Sequence, residues 1–288
     1  MAIKSWIDEQ EYPFESNFFV TEVGRMHYLD EGEGYPIIFV HGNPSWSFQY
    51  RNVIKELSKD HKCIAPDLIG FGLSDKPTDW SYLPKDQAKI LDGFLESLDL
   101  NGITMVVGDW GGPIGLSYAI NHPDRIENLV ITNTWLWSVK KDWYYQAFSK
   151  FVGGPIGRFL IKRRNLFARD VVKAAFGDKK KLTKEVHSHY LKPLENRNER
   201  KGSWVFPREI IGSSDWLASL WENGDVLKDK RVLLAWGNKD IAFREKELRR
   251  FIELFPDARV VRYPDAGHYI AEEKPNELSQ EIRGLLNR

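Results

Sequence analysis

The sequence predicts an α/β fold: a mostly parallel central sheet flanked by helices, interrupted once by a helical insertion. Three observations carry that prediction. Short strand-like runs alternate with longer segments of helical periodicity along most of the chain. The central runs are continuously apolar, as strands buried on both faces of a parallel sheet are. The alternation stops after Thr134 and resumes near Arg231.

The elements follow in order. "FFVTEVGRMHYLDEG" (18–32) alternates polar and apolar residues, with Gly24 near the expected turn of a hairpin. "PIIFV" (36–40), "CIAPDL" (63–68), "ITMVV" (103–107), "NLVITN" (128–133), "RVLLAW" (231–236) and "ARVVRY" (258–263) read as the remaining strands. Between them, 84–100 places Ile90, Leu91, Phe94, Leu95 and Leu98 on one helical face. Residues 113–122 have helical character. From Trp135 to about Ser214 no buried strand is legible, and Trp, Tyr, Phe, Lys and Arg are abundant. The expected division is a core over 1–134, a helical cap over 135–214, and the rest of the core over 215–288. An insertion at the carboxyl end of a strand lies over the place where such sheets carry their sites. Excluding water there is a fitting role for it.

Composition narrows the classes. The chain has 288 residues, 42% of them apolar, enough for a sizeable core. Lys plus Arg and Asp plus Glu balance at 41 each, which leaves no overall footprint for nucleic acid or an acidic membrane surface. The basic clusters at 178–182 and 198–201 have acidic neighbours and read as solvated surface. Cys63, the single cysteine, sits in an apolar strand-like run and reads as a buried core thiol. With no internal disulfide possible, no apolar leader and no membrane-length run, a cytoplasmic protein is expected. No HExxH or Cys/His cluster appears, so neither metal nor cofactor is expected.

The chemistry begins at "VVGDWGGPIG" (106–115), a strand running into a glycine-flanked corner and then a helix. Hydrolases hold a serine on such a corner; here it is Asp109. A carboxylate there either forms an ester with an electrophilic carbon or caps the helix. An ester needs an activated water to clear it. His268, in "PDAGHYIAEEKP" (264–275), follows the last strand-like run, and Asp240, in "WGNKDIAF" (236–243), follows the one before. Asp109, Asp240, His268 is the nucleophile–acid–base order of α/β-hydrolases. "FVHGNPSWSFQYR" (39–51) opens a loop able to aim a backbone N–H at a developing anion. Asn43 in it is either a turn former or an amide donor, and Trp110 either core packing or an indole donor. Together the two can hold a leaving halide.

On "HGNPSWSFQYRNVI", "APDLIGFGLSDKP", "VVGDWGGPIGL", "WVFPREI" and "GNKD…PDAGH", the sequence resembles a haloalkane dehalogenase of the α/β-hydrolase superfamily, over nearly the whole chain. The resemblance implies an α/β-hydrolase fold and a small halogenated substrate. Asp109 then displaces halide, Asn43 and Trp110 stabilise it, and their backbone N–H groups form the oxyanion hole. His268 activates water, and Asp240 orients His268. Some members carry a Glu after the strand before the cap. Here that strand reads "LVITNTW" with Asn133, so Asp240 is the expected acid, as in the subfamily with the acid after the later strand. Gly108 stands where many members have His or Gln.

Trp143, Phe148, Phe151 and Phe167 are candidates for an apolar pocket, with helical core packing as the competing reading. Phe206 and Pro207 are candidates to touch the halide site. Two alternatives remain. An epoxide hydrolase would use the same triad with acidic donors such as Tyr144, Tyr145 or Tyr190; Asn43 speaks against it. A non-catalytic binder would not require all three triad partners.

Overall fold

The computed structural model describes residues 5–287. Among them, eight strands form one sheet: β1 (Asn17–Thr21), β2 (Gly24–Glu31), β3 (Pro36–Val40), β4 (Lys62–Pro66), β5 (Ile103–Asp109), β6 (Ile126–Thr134), β7 (Arg231–Gly237) and β8 (Arg259–Tyr263). Their order is β1-β2-β4-β3-β5-β6-β7-β8. β1–β2 and β2–β4 are antiparallel, and every other pair is parallel. The hairpin pairs Thr21 with Gly24, as the alternation at 18–32 anticipates.

Continuous apolar strands bury both faces here. In β3, Ile38 and Val40 join one core with Met105, Val107, Leu129 and Leu234. Ile37 and Phe39 join the other, with Cys63, Val106, Val130 and Leu233. The period of two along a strand sends neighbours to opposite cores. Cys63 is fully buried, and burial pushes its thiol up to about 12, so it has no thiolate chemistry near neutral pH.

Helices cover both faces. α1 (Arg51–Leu57) packs on the Ile37 side. α2 (Pro84–Ser97) and α3 (Gly111–Asn121) pack on the Ile38 side. α2 begins with Pro84 in its first turn and buries Ile90, Leu91, Phe94 and Leu95. It stops short of residue 100, because Asp99 adopts a left-handed conformation (φ 47°) that a continuing helix excludes.

Between β6 and β7 lie α4 (Trp143–Val152), α5 (Pro155–Arg164), α6 (Val172–Ala175), α7 (Lys184–Leu191), α8 (Lys201–Gly212) and α9 (Ser214–Asn223). α4 packs on α5 and α8, whereas α9 returns to pack on α3. After β7, α10 (Glu245–Leu254) leads to β8. α11 (Ile270–Glu273) and α12 (Pro275–Leu286) close the chain, and α12 lies against α1. Among the described residues no helix is long and apolar enough to cross a membrane.

Candidate active site

The carboxyl ends of β3, β5, β7 and β8 converge on one cleft. Asp109 is the last residue of β5 and holds φ +49°, a conformation that costs a non-glycine residue of order 1 kcal/mol or more. Thr134 helps to fix it, its hydroxyl donating to the Asp109 carbonyl. The strain turns the carboxylate out of the sheet toward the loop after β3. There the Asn43 backbone N–H donates to Asp109 Oδ1 at 2.7 Å. Gly42 permits that approach, since a Cβ at 42 would lie 2.1 Å from the same oxygen. His41 sets the loop: its Nε2 accepts from Leu68 N (2.9 Å) and its Nδ1 donates to Gly42 O (2.8 Å). Burial lowers its pKa, which keeps it neutral.

On the other side, His268 Nδ1 lies 2.8 Å from Asp240 Oδ2, and Nε2 lies 3.7 Å from Asp109 Oδ2. Asp240 Oδ1 accepts from Ala242 N at 2.6 Å, so both oxygens of this buried carboxylate are engaged. Burial raises the pKa of Asp109, offset in part by His268 and by the backbone N–H groups of Trp110 and Asn43. Burial works against the charged form of His268. Asp240, and then Asp109, outweigh it and push His268 up to about 9.

The floor of the cleft is Asp109, Trp110, Asn43 and His268, and its walls include Trp135, Phe148, Phe167, Pro207, Ile210 and Phe243. Trp110 is buried, edge-on to Trp135 at 4.6 Å, and among the described residues its indole N–H has no acceptor. The Asn43 side-chain amide makes only a 3.5 Å contact to Ser203 O, and its Oδ1 is unpartnered.

The cap candidates divide. Phe148, Phe167 and Pro207 line the cleft. Phe151 does not: it is 59% exposed, on the outer side of α4, as is Trp143 at 77%. Phe206 does not reach the cleft either. It is fully buried between Phe71 (5.2 Å) and Trp110 (5.3 Å), so it supports the tryptophan from behind. Helical periodicity shows that residues share a face and leaves open which face meets the cleft.

Tyr144 and Tyr145 line the cleft, but their hydroxyls donate to Ile241 O (2.7 Å) and Ala242 O (3.0 Å). Tyr190 donates to Glu272 at 2.6 Å. Gly108 faces Thr132, whose Oγ1 would lie 2.5 Å from a Cβ there, so no larger side chain fits this strand pair unchanged.

Two residues within the quoted segments have positioning contacts that the motifs do not show. Asn133 accepts from Gly237 N (2.8 Å) and donates to Gly237 O and Phe243 O, bracketing the Asp240 loop. Glu273 accepts from Gly267 N (2.8 Å) and Asp178 N (2.6 Å), tying the His268 loop to the cap. A carboxylate five places after His268 is the only signal in the sequence, and one of its partners, Asp178, lies far away along the chain.

The chain matches the model of the α/β hydrolase fold over residues 35–275. It is 38% identical over 284 residues to haloalkane dehalogenase 2 of Mycobacterium tuberculosis, covering 98% of both chains. It is 35% identical to a cis-3-alkyl-4-alkyloxetan-2-one decarboxylase of Shewanella oneidensis, over 95% of this chain and 89% of that one. Among solved structures, haloalkane dehalogenase DbeA from Bradyrhizobium elkani superposes with a TM-score of 0.85 at 25% identity, over 94% of this chain and 97% of that one.

Proposed function

The chain belongs to the haloalkane dehalogenase family of α/β hydrolases, and from that premise we propose that it hydrolyses carbon–halogen bonds of small apolar haloalkanes through an ester on Asp109. Residues 135–214 act as the cap that encloses the substrate. Asp109 attacks the halogen-bearing carbon in line, and halide departs toward Trp110 and Asn43. Asp109 Oδ1, held by the Asn43 N–H, becomes the ester carbonyl oxygen and later the oxyanion. His268 Nε2 takes a proton from water attacking the ester carbon, and Asp240 steadies the imidazolium. Haloalkane and water give alcohol, halide and a proton.

The observation that carries this reading is the donor set beside Asp109: an unengaged indole N–H and a nearly unengaged amide. Displacement needs a donor for a soft anion and no acid for an oxygen. The engaged hydroxyls of Tyr144, Tyr145 and Tyr190 speak against epoxide opening. An organised triad speaks against a pure binder.

The test is His268→Phe with a bromoalkane. It is expected to release about one bromide per site and then stop, leaving the alkyl group on the peptide that holds Asp109. Continued turnover, or no modified Asp109, would defeat the ester mechanism.

A second reading rests on the relative from Shewanella oneidensis, whose name places its action on oxetan-2-ones. The same displacement at an alkyl carbon of a four-membered lactone expels a carboxylate in place of halide. Loss of carbon dioxide then returns the Asp109 carboxylate and leaves an alkene, with no water consumed. Alkene from a cis-3,4-dialkyl-oxetan-2-one, with no halide from bromoalkanes, would favour this reading over the first.

A further inference from the structure

Balanced charge over the whole chain conceals a segregated region in the insertion. From Trp143 to Arg169 the sequence carries Lys150, Arg158, Lys162, Arg163, Arg164 and Arg169 and no Asp or Glu. α4 exposes Trp143, Lys150 and Phe151, spaced for one helical face. α5 exposes Ile156, Phe159, Lys162 and Arg163, again on one face. The two helices are consecutive, joined by Gly153-Gly154, and pack together. Trp143, Phe151, Ile156 and Phe159 are 77%, 59%, 63% and 59% exposed. Lys150, Lys162, Arg163 and Arg164 form no ion pair among the described residues, whereas Arg249 of α10 pairs with Glu245 one turn earlier on its own helix.

We propose that the exposed α4–α5 face docks on an anionic lipid surface. Aromatic and aliphatic side chains ringed by unpaired cations suit the boundary between headgroups and acyl chains. A second copy of the same face would set like charges against each other across a two-fold interface, which disfavours self-association. The position adds a function. The inner side of α4 presents Tyr145 and Phe148 to the cleft, and the outer side carries Trp143 and Phe151. One helix therefore separates the active-site cleft from the docking face. Apolar substrates concentrate in bilayers, so docking brings the cleft to its substrate supply. That last link rests on the proposed reaction; the docking itself does not.

The experiment is sedimentation of the full chain with vesicles of phosphatidylcholine alone, and of an equal mixture with phosphatidylglycerol, at low and high salt. Binding to the mixed vesicles only, weakened by salt, is expected. Lys162→Gln/Arg163→Gln/Arg164→Gln is expected to lower partitioning by roughly a hundredfold. Ile156→Ser/Phe159→Ser is expected to lower it while circular dichroism and turnover of soluble substrate stay unchanged. No binding to mixed vesicles by the wild type overturns the proposal, as does a triple variant that binds as tightly. A dimer seen by sedimentation velocity and lost in Ile156→Ser/Phe159→Ser, without vesicle binding, also overturns it. Turnover in solution reports separately on the proposed reaction.

Discussion

His268 carries the pH behaviour of the site. Its pKa of about 9 means that the resting enzyme holds an imidazolium at neutral pH, beside two carboxylates. Displacement needs only the Asp109 carboxylate. Once the ester forms, the Asp109 charge is gone, and with it one of the supports of the imidazolium. The pKa of His268 in the alkyl-enzyme is therefore lower than 9, and the neutral imidazole that hydrolysis requires gains population as pH rises. Ester hydrolysis is expected to increase with pH and level off below about 9. Single-turnover halide release is expected to stay flat there. It falls only at acid pH, above the ordinary carboxylate range, because burial raises Asp109. Rapid-mix halide release beside steady-state turnover separates the two limbs; identical profiles would contradict the split. The halide donors belong to the same scale. Trp110→Phe keeps the ring packed against Trp135 and Phe206 but removes the unengaged indole N–H. Losing one preorganised donor costs on the order of 3 kcal/mol, so halide release is expected to slow roughly a hundredfold. Tyr144→Phe is expected to change it little, since that hydroxyl serves Ile241 O.

The loops after β7 and β8 are positioned by side chains from other elements. Glu273 gathers N–H groups from Gly267 and Asp178, and His268 N donates to Ala175 O at 2.9 Å, so the histidine loop is laced to the cap. Glu273→Gln keeps the shape but sets an amide N–H₂ against one of the two N–H donors, since Gly267 and Asp178 use different carboxylate oxygens. Ester hydrolysis is expected to slow about tenfold or more while the first bromide is released at the wild-type rate, because only the second step uses His268. Glu273→Asp, which keeps an acceptor, is expected to recover part of it. Equal slowing of both steps would indicate general disorder of the site. Asn133 braces the neighbouring loop through Gly237 and Phe243. Asn133→Ala is expected to reduce turnover less than Asp240→Asn, which removes the charge opposite His268 and costs orders of magnitude. The reverse ranking in measured kcat would move the acid's role toward Asn133.

Across the whole molecule, one buried ion pair joins distant parts of the chain. Arg51 of α1 meets Glu272 of α11 at 2.6 Å, and Tyr190 of α7 donates to the same carboxylate. The two side chains are 3% and 1% exposed. Arg51 also stacks on Phe48 at 3.9 Å and reaches Glu11. Core, insertion and C-terminal segment thus share one network. Glu272→Gln removes the buried counter-charge of Arg51 and leaves only the solvent-facing Glu11 beside the guanidinium, a loss of about 3 kcal/mol. The midpoint in urea is expected to drop accordingly, while Glu11→Gln, at the solvent-facing end, is expected to cost no more than about 1 kcal/mol. Equal midpoints for wild type and Glu272→Gln would show that the network adds nothing to stability.

The sequence by itself determined the strand order along the chain, the corner at Asp109, and the loops holding Asn43, Asp240 and His268. Those features are local: a period of two, an apolar run, or a turn residue at a strand end is written within a few positions. Residues at the carboxyl ends of parallel strands must also gather on one edge, so chain order alone juxtaposes Asp109, Asp240 and His268. Tertiary structure decided the rest. It turned Phe148 and Phe167 inward and Phe151 outward, put Phe206 behind Trp110, and engaged the hydroxyls of Tyr144 and Tyr145. It also gave Asn133 and Glu273 partners more than ninety residues away. The physical reason is the same in each case. A helix has the same periodicity whichever way it rolls, and a buried polar group finds its partner through space, so both outcomes are fixed only when the elements pack.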